Sequence, residues 1–144
     1  MSVDNYKLFL GIDLGTSGVR ISIINELSEQ IYMDSNIYEN KLENCNDWIK
    51  SCSEILHSIP LQLKPRIIGC SVAGTSGTLL ACNSEGKPLG NAIAYYTSFP
   101  NKESIIRKYI PSNSTTCNTN SSFARALHLT DLHGLNIKLR HQAD

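Results

Sequence analysis

The sequence predicts an α/β domain in which strands come first and helices follow. Three strand-like segments, at residues 7–13, 19–23 and 30–38, have no helical pattern between them, which predicts an antiparallel meander. Apolar residues then recur at helical spacing after residue 46. Because 41% of the 144 residues are hydrophobic and 18% are charged, we expect one packed globular domain.

Charge and hydropathy exclude several classes of function. The 13 Lys and Arg residues balance 13 Asp and Glu residues, and zero net charge argues against a nucleic-acid surface or a polybasic membrane patch. No apolar stretch approaches the roughly 20 residues that span a bilayer, and residues 1–5 lack the order of a signal peptide. The sequence therefore predicts a cytoplasmic protein. Its five cysteines include no Cys-x-x-Cys pair, which favours reduced thiols, with Cys52, Cys70 and Cys82 in the core.

Local patterns predict the individual elements of the first half. Residues 7–13 are almost continuously apolar, as in a strand covered on both faces, and residues 14–18 are short enough for a hairpin connection. In the first helix Asn46 is the predicted N-cap, Asp47 suits the positive end of the helix dipole, and Pro60 ends the element.

In the second half, three predicted strands precede two predicted helices. A polar loop is predicted at residues 112–122, where Ser, Thr and Asn fill almost every position. Ser121 is the predicted N-cap of the last helix and Gly134 its stop. No element is predicted for residues 136–144, and we expect the chain to be cut short. The predicted strands are residues 67–72, 78–83 and 92–96, and the predicted helices are residues 102–109 and 122–133.

Residues 11–20 carry a pattern typical of phosphate binding. Asp13 stands at the end of a buried strand, where a carboxylate can hold a hydrated Mg²⁺. Gly15 and Gly18 allow a tight backbone turn, so the amides between them can point at phosphate oxygens, and Arg20 can bring positive charge to the same anion. The Walker and dinucleotide-binding glycine patterns are absent from the sequence. The hydroxyl donors of the segment are Thr16 and Ser17.

An ordinary polar hairpin is the alternative interpretation, and a bare Gly-Thr-Ser-Gly would favour it. The full string Gly-Ile-Asp-Leu-Gly-Thr-Ser-Gly-Val-Arg is more specific, and it resembles the first phosphate-binding motif of the actin, hexokinase and sugar-kinase superfamily. Within that superfamily its sequence is similar to the motif of the FGGY carbohydrate kinases. Residues 74–78, Gly-Thr-Ser-Gly-Thr, are similar to the ribulokinase and D-ribulose kinase branch. Residues 121–125 and 142–144 resemble later segments of those enzymes, so the resemblance runs along essentially all 144 residues.

The resemblance implies a ribonuclease H-like fold, a mixed sheet with flanking helices. Residues 1–144 would form the N-terminal part of the first domain, and the second, ATP-binding domain would be absent from this chain. The implied activity is phosphoryl transfer from ATP, with Mg²⁺, to a sugar hydroxyl, and a ketopentose such as D-ribulose is the expected substrate.

The resemblance also assigns roles to residues. Asp13 would coordinate Mg²⁺ through water, and Arg20 would help to neutralise the ATP phosphates. The phosphates would be cradled by Gly15, Thr16, Ser17 and Gly18, and the sugar side would be formed by Thr75, Ser76 and Thr78.

The sequence departs from the family pattern at three places. The ribulokinase branch usually has Asp where Ala73 stands, and an Asn or Asp commonly follows the aromatic residue where this chain has Tyr96 and Thr97. The catalytic base is a carboxylate that accepts the sugar hydroxyl proton, and we expect it beyond residue 144. Neither Asp131 nor Asp144 occupies the matching position. This chain alone is therefore expected to be inactive.

These departures keep two further hypotheses open. One is a non-catalytic nucleotide- or sugar-binding remnant of a sugar kinase, with a homo-oligomer or a complementing C-terminal fragment as partner. The other is a chaperone-like or actin-like ATPase, against which the cluster at residues 74–78 counts.

Overall fold

The computed structural model describes residues 6–144, and the chain divides into two compact units. The first unit ends at Gly74 and the second begins at Thr75. Within residues 6–144, no helix has the length and apolar character needed to cross a membrane. The first unit contains β1 (Leu8–Leu14), β2 (Gly18–Asn25), β3 (Gln30–Ile37), α1 (Cys45–Ser58) and β4 (Ile67–Gly74), with a 3-10 turn at Lys64–Arg66.

The strands of the first unit form one mixed sheet in the order β3-β2-β1-β4. β2 runs antiparallel to both β1 and β3, which confirms the predicted meander. β4 lies parallel to β1 on its other side. α1 connects β3 to β4, because a parallel neighbour requires the chain to cross back over the sheet.

One face of this sheet forms the core of the first unit, and α1 packs against β2 and β3. The prediction that β1 is covered on both faces is wrong: its exposure alternates, with Leu8 and Leu10 buried and Phe9 and Gly11 exposed. The apolar run of β1 includes Phe9, which lies on the exposed face of the sheet, opposite Gly69 of β4. An apolar residue on the exposed face makes the sequence of β1 resemble that of a fully buried strand. The buried hydrophobic residues of the sheet are Leu8, Leu10, Leu14, Val19, Ile21 and Ile23.

The start of α1 lies two residues earlier than predicted. Asn44, rather than Asn46, is the N-cap, and its side chain accepts a hydrogen bond from the Asn46 amide. Asp47 is in the first turn, as predicted, and its buried carboxylate accepts hydrogen bonds from the backbone and side chain of Asn40 at 2.7 and 3.1 Å. Asn44 and Asn46 are equally suitable N-cap residues by side-chain chemistry. The hydrogen bonds between Asp47 and Asn40 lie outside the helix, so the local sequence does not indicate which asparagine is the N-cap.

The second unit contains β5 (Leu79–Cys82), α2 (Glu103–Tyr109), α3 (Ser122–His133) and β6 (Lys138–His141), with a 3-10 turn at Pro100–Lys102. β5 pairs antiparallel with β6. The core is a cluster formed by Leu79, Ala81 and Leu129. The predicted caps of α3 are confirmed, since the Ser121 side chain accepts from the Ala124 amide and Gly134 ends the helix with φ of 82°.

In the second unit the strand predicted at residues 92–96 is wrong, and a strand that was not predicted is present at Lys138–His141. Residues 92–96 make a single bridge, in which Ile93 exchanges hydrogen bonds of 2.7 and 3.0 Å with Leu79, and the chain then turns. Residues 138–141, for which no element was predicted, form β6 instead. β6 is exposed along its whole length, and its pairing with distant β5, not its own apolar pattern, makes it a strand.

The cysteines are only partly in the core. Cys82 is buried and Cys52 is half-buried, and burial raises the pKa of both thiols. Cys70 is exposed, so its predicted place in the core is wrong.

Gly18 permits the close approach of β2 to β3. A Cβ at this position would lie 2.2 Å from the backbone oxygen of Asn36, so Gly18→Ala forces the backbone apart. Overpacking of this kind costs about 1–3 kcal/mol. We expect Gly18→Ala to lower the free energy of unfolding by that amount in urea denaturation, and Gly90→Ala, where a Cβ meets no atom within 4 Å, to lower it much less. Equal effects of the two substitutions would contradict the close packing.

Asp34 gives the first unit a pH-dependent contribution to stability. The Ser58 hydroxyl (2.7 Å), the Ser35 amide (2.8 Å) and the Tyr32 hydroxyl (3.1 Å) donate hydrogen bonds to its carboxylate. Together they lower the pKa of Asp34 below its ordinary 3.8, with Ser58 as the largest cause. Ionised Asp34 therefore contributes stability above the pKa of the unfolded chain, and this contribution is lost as the pH falls through the lower folded-state pKa.

We accordingly expect Asp34→Asn to lower the Tm at pH 7 and to have a smaller effect once the pH is below the folded-state pKa. Thermal unfolding followed by circular dichroism, at pH 7 and at a pH below the folded-state pKa of Asp34, measures the Tm difference between wild type and Asp34→Asn. Ser58→Ala removes the hydrogen bond that lowers the Asp34 pKa most, so its effect on the Tm should depend on pH in the same direction and be smaller. A Tm difference for Asp34→Asn that does not change with pH would contradict this role.

Candidate functional site

The turn between β1 and β2 is built by backbone hydrogen bonds. The Gly15 amide donates to the Gly18 oxygen at 2.8 Å, which closes the hairpin. The Tyr38 amide donates to the Ser17 oxygen at 3.0 Å, so the end of β3 holds the turn from the other side. With both ends fixed, the turn presents residues 15–18 in one defined conformation.

The two amides at the tip of this turn remain available. In the described part of the chain, neither Thr16 nor Ser17 donates a backbone hydrogen bond to another protein group. Both residues line a cavity of about 290 Å³ beside β3. Adjacent unpaired amides in a tight turn form a concave site for an anion. The cavity is lined by Gly15, Thr16, Ser17, Gly18, Val19, Arg20, Ser35, Asn36 and Ile37.

Asp13 and Arg20 stand side by side at the edge of this turn. They are directly opposite each other in the β1–β2 register, and the Arg20 guanidinium donates to the Asp13 carboxylate at 2.5 Å. The side chains are 47% and 71% exposed respectively, so the ion pair faces solvent and contributes little to stability. Arg20 also lines the cavity beside β3, so one cation can reach both the carboxylate and an anion in that cavity.

A second cavity, of about 410 Å³, lies on the Asp13 side of Arg20. Ala73 of β4 is the partner of Asp13 in the parallel register, and both line this cavity. Asp13 is the acidic side chain among its lining residues, and Ala73 beside it contributes no carboxylate.

The carboxylate fits a water-mediated Mg²⁺ better than a direct protein metal site. Among residues 6–144, no group of three or more His, Cys, Asp or Glu side chains is placed to hold a metal ion. Mg²⁺ keeps several waters and is usually held by one or two carboxylates together with phosphate oxygens. One half-exposed carboxylate beside a turn that could receive phosphate oxygens would satisfy that requirement.

The residues predicted for the sugar side lie in the second unit and differ in accessibility. Ser76 is exposed, Thr75 is half-buried, and Thr78 is completely buried. Gly77 adopts a φ of 84°, so the chain bends sharply between Ser76 and Thr78. Ser76 and Thr75 can therefore meet a ligand directly, whereas the Thr78 side chain acts from within the protein.

Two buried residues hold loops of the second unit by hydrogen bonds, Gln142 this loop and Arg125 the turn at Tyr95, and neither contact was predicted from the sequence. The Gln142 side-chain oxygen accepts a hydrogen bond from the Thr75 amide at 3.0 Å and another from the Thr75 hydroxyl. Arg125, which is 3% exposed, donates to the backbone oxygens of Tyr95 and Asn120, each at 2.7 Å. Burial lowers the pKa of Arg125. Gln142 lies in a segment for which no element was predicted, so the local sequence gave no indication of its contact with Thr75.

Tyr95 and Tyr96 do not extend a strand. Since residues 92–96 form only a bridge, the alternation that would send the two rings to opposite faces is absent. Their ring centroids are 5.1 Å apart in an edge-on arrangement. Tyr96 and Thr97 thus belong to the turn that Arg125 holds by its bonds to the backbone.

No protein-family model matches the chain. Solved structures of carbohydrate kinases, however, share its fold. A xylulose kinase from Brucella ovis matches 95% of this chain and 33% of its own, with a TM-score of 0.75 and 19% sequence identity. A glycerol kinase from Plasmodium falciparum, solved with ADP, matches 95% of this chain and 33% of its own, with a TM-score of 0.64 and 15% identity. A carbohydrate kinase from Novosphingobium aromaticivorans matches 96% of this chain and 32% of its own, with a TM-score of 0.65 and 12% identity.

At these low identities the similarity establishes the fold. The chain spans about a third of the length of the kinases it matches. The predicted fold class is confirmed: the chain has the mixed-sheet α/β fold that these carbohydrate kinases have over the matching part of their structures.

Proposed function

We propose that this chain is the phosphate-binding front part of a carbohydrate kinase that transfers the γ-phosphoryl group of ATP to a sugar hydroxyl. The proposal combines the fold shared with sugar kinases and the FGGY-like string at residues 11–20. The observation that carries it is the β1–β2 turn, where the Thr16 and Ser17 amides have no acceptor among residues 6–144 and where both residues line a cavity together with Arg20.

Each residue of the turn has a physical role in this function. The Thr16 and Ser17 amides would donate to phosphate oxygens, and Arg20 would leave its exposed pairing with Asp13 to neutralise the same anion. Asp13 would then be available to hold the waters of Mg²⁺. Bound Mg²⁺ neutralises charge on the polyphosphate during transfer, and the chain's own contribution is to position the nucleotide.

On the sugar side, Ser76 and Thr75 are the residues that we propose to contact substrate hydroxyls. Thr78 supports them from the core through its hydroxyl, which lies 3.0 Å from that of Thr75. A ketopentose such as D-ribulose remains the proposed substrate, on the similarity of residues 74–78 to the ribulokinase branch.

The proton of the attacking hydroxyl needs a carboxylate acceptor. Asp131 is exposed and is ion-paired with Lys102, which supports its assignment to the surface. We propose that the base lies outside these 144 residues and that the chain alone has negligible turnover.

A non-catalytic remnant is the second candidate, and Ala73 favours it. A carboxylate at this position would stand directly beside Asp13 on the neighbouring strand, and the alanine removes it. Such a remnant would keep nucleotide binding at the β1–β2 turn and lose turnover even when the rest of a kinase is supplied.

Calorimetric titration with Mg-ATP tests the phosphate site. We expect Arg20→Gln to weaken Mg-ATP binding about tenfold, since a charge-assisted hydrogen bond is worth about 1.5 kcal/mol or more. Arg140→Gln, an equivalent change at an exposed strand residue of the second unit, should leave the affinity unchanged. Equal affinities for wild type and Arg20→Gln, or no binding of Mg-ATP by the wild type, would contradict the proposed site.

An ADP-release assay with D-ribulose, D-xylulose and glycerol tests the rest. We expect no turnover from the 144 residues, and appreciable turnover would show that the base lies within them. Nucleotide binding without binding of any of these sugars would favour the remnant.

A further inference from the structure

The Gln142 side chain is buried directly beneath the proposed sugar-binding loop. It is 6% exposed and follows β6 immediately. The register of β5 with β6 pairs Leu79 with His141, which places Gln142 next to Thr78, the residue that precedes β5. The position of Gln142 is therefore set by the sheet of the second unit and not by a mobile tail.

The orientation of its amide group is fixed by the bond it receives. The Thr75 backbone N–H can only donate, so the atom that faces it at 3.0 Å must be the Gln142 oxygen. The Thr75 hydroxyl lies within hydrogen-bond distance of the same oxygen. Because an amide oxygen can only accept, the Thr75 hydroxyl is the donor of this bond.

The Thr78 hydroxyl is a second acceptor for the Thr75 hydroxyl. The two oxygens lie 3.0 Å apart, with Thr75 as the donor. Because Gln142 and Thr78 both accept from Thr75, the single proton of the Thr75 hydroxyl stays within the protein. The half-buried Thr75 oxygen therefore meets any further partner with a lone pair that can only accept.

We propose that Gln142 is a positioning residue that holds the Thr75 hydroxyl as an acceptor for a hydroxyl donated by the sugar. This proposal rests on the proposed sugar-kinase function, and it specifies the direction of one hydrogen bond between the sugar and the protein. The substrate group that meets Thr75 is a hydroxyl that donates a proton, and a substrate oxygen that can only accept, such as a carbonyl or an ether, is rejected there.

The test compares variants of the 144-residue chain by titration with D-ribulose, followed by amide-resolved NMR. Gln142→Met removes the acceptor, whereas Gln142→Glu keeps an oxygen at the same reach. We expect Gln142→Met to expose the Thr75 amide to about tenfold faster hydrogen exchange and to weaken D-ribulose binding about tenfold, with Mg-ATP affinity unchanged. Gln142→Glu should retain the Thr75 protection. Gln62→Met, the same change at an exposed position, is the control.

A double-mutant cycle separates positioning from general loosening of the fold. Thr75→Val removes the hydroxyl and keeps the amide bond to Gln142, so we expect it to weaken D-ribulose binding about tenfold. Adding Gln142→Met to Thr75→Val should weaken binding little further, because the two residues act as one unit. If Gln142→Met does not fold, Thr75→Val and Gln142→Glu still decide: unchanged D-ribulose affinity in Thr75→Val overturns the proposal.

The outcomes distinguish this proposal from the function on which it rests. Wild-type binding of D-ribulose together with equal binding by Gln142→Met overturns the positioning role alone. Binding of Mg-ATP by the wild type without binding of D-ribulose, D-xylulose or glycerol overturns the sugar side of the proposed function, and the positioning role with it.

Discussion

The pairing of β1 with two different neighbours determines where the polar groups of the first unit lie. β2 returns antiparallel through a tight turn, which puts Arg20 opposite Asp13, while β4 runs parallel and puts Ala73 on the other side of the same carboxylate. Neither position depends on a flexible loop, because both are set by strand register. A one-residue slip in β1 would turn Asp13 into the core and bring Leu14 to the surface.

The same constraint explains why the turn after β1 suits an anion. Closure of the hairpin uses the Gly15 amide and the Gly18 oxygen, and these atoms are at its base. The amides of Thr16 and Ser17 are left at the tip, where the protein has no acceptor for them within the described residues. In the proposed function Arg20 supplies the positive charge, since its exposed pairing with Asp13 costs little to break.

Much of the first unit was predictable, because its strands alternate in burial and its turn carries glycines where the backbone must bend. The errors have specific causes. The sequence predicts β1 to be covered on both faces because residues 7–13 are almost continuously apolar, but Phe9 lies on the exposed face, opposite Gly69 of β4. Asn44 and Asn46 have equal cap chemistry, and the contact between Asp47 and Asn40 lies outside the helix.

The second unit was less predictable because its contacts join distant parts of the chain. β6 has no apolar pattern and becomes a strand through pairing with β5. The support of Thr75 by Gln142 follows from that pairing, so the sequence indicated the loop at residues 74–78 and not the residue beneath it. Thr78 precedes β5 and is buried beside Gln142, so it cannot contact a ligand directly as the resemblance implied and instead supports Thr75.

Amide-resolved NMR of the ¹⁵N-labelled chain, titrated with Mg-ATP and with inorganic tripolyphosphate, tests the proposed phosphate-binding role of the β1–β2 turn most directly. If the turn holds a polyphosphate, the Thr16 and Ser17 amide resonances move downfield with both ligands, while the already bonded Gly15 amide moves little. Saturation with Mg-ATP that leaves the Thr16 and Ser17 resonances in place would show that the nucleotide binds elsewhere, and the phosphate-binding role of the β1–β2 turn would be wrong.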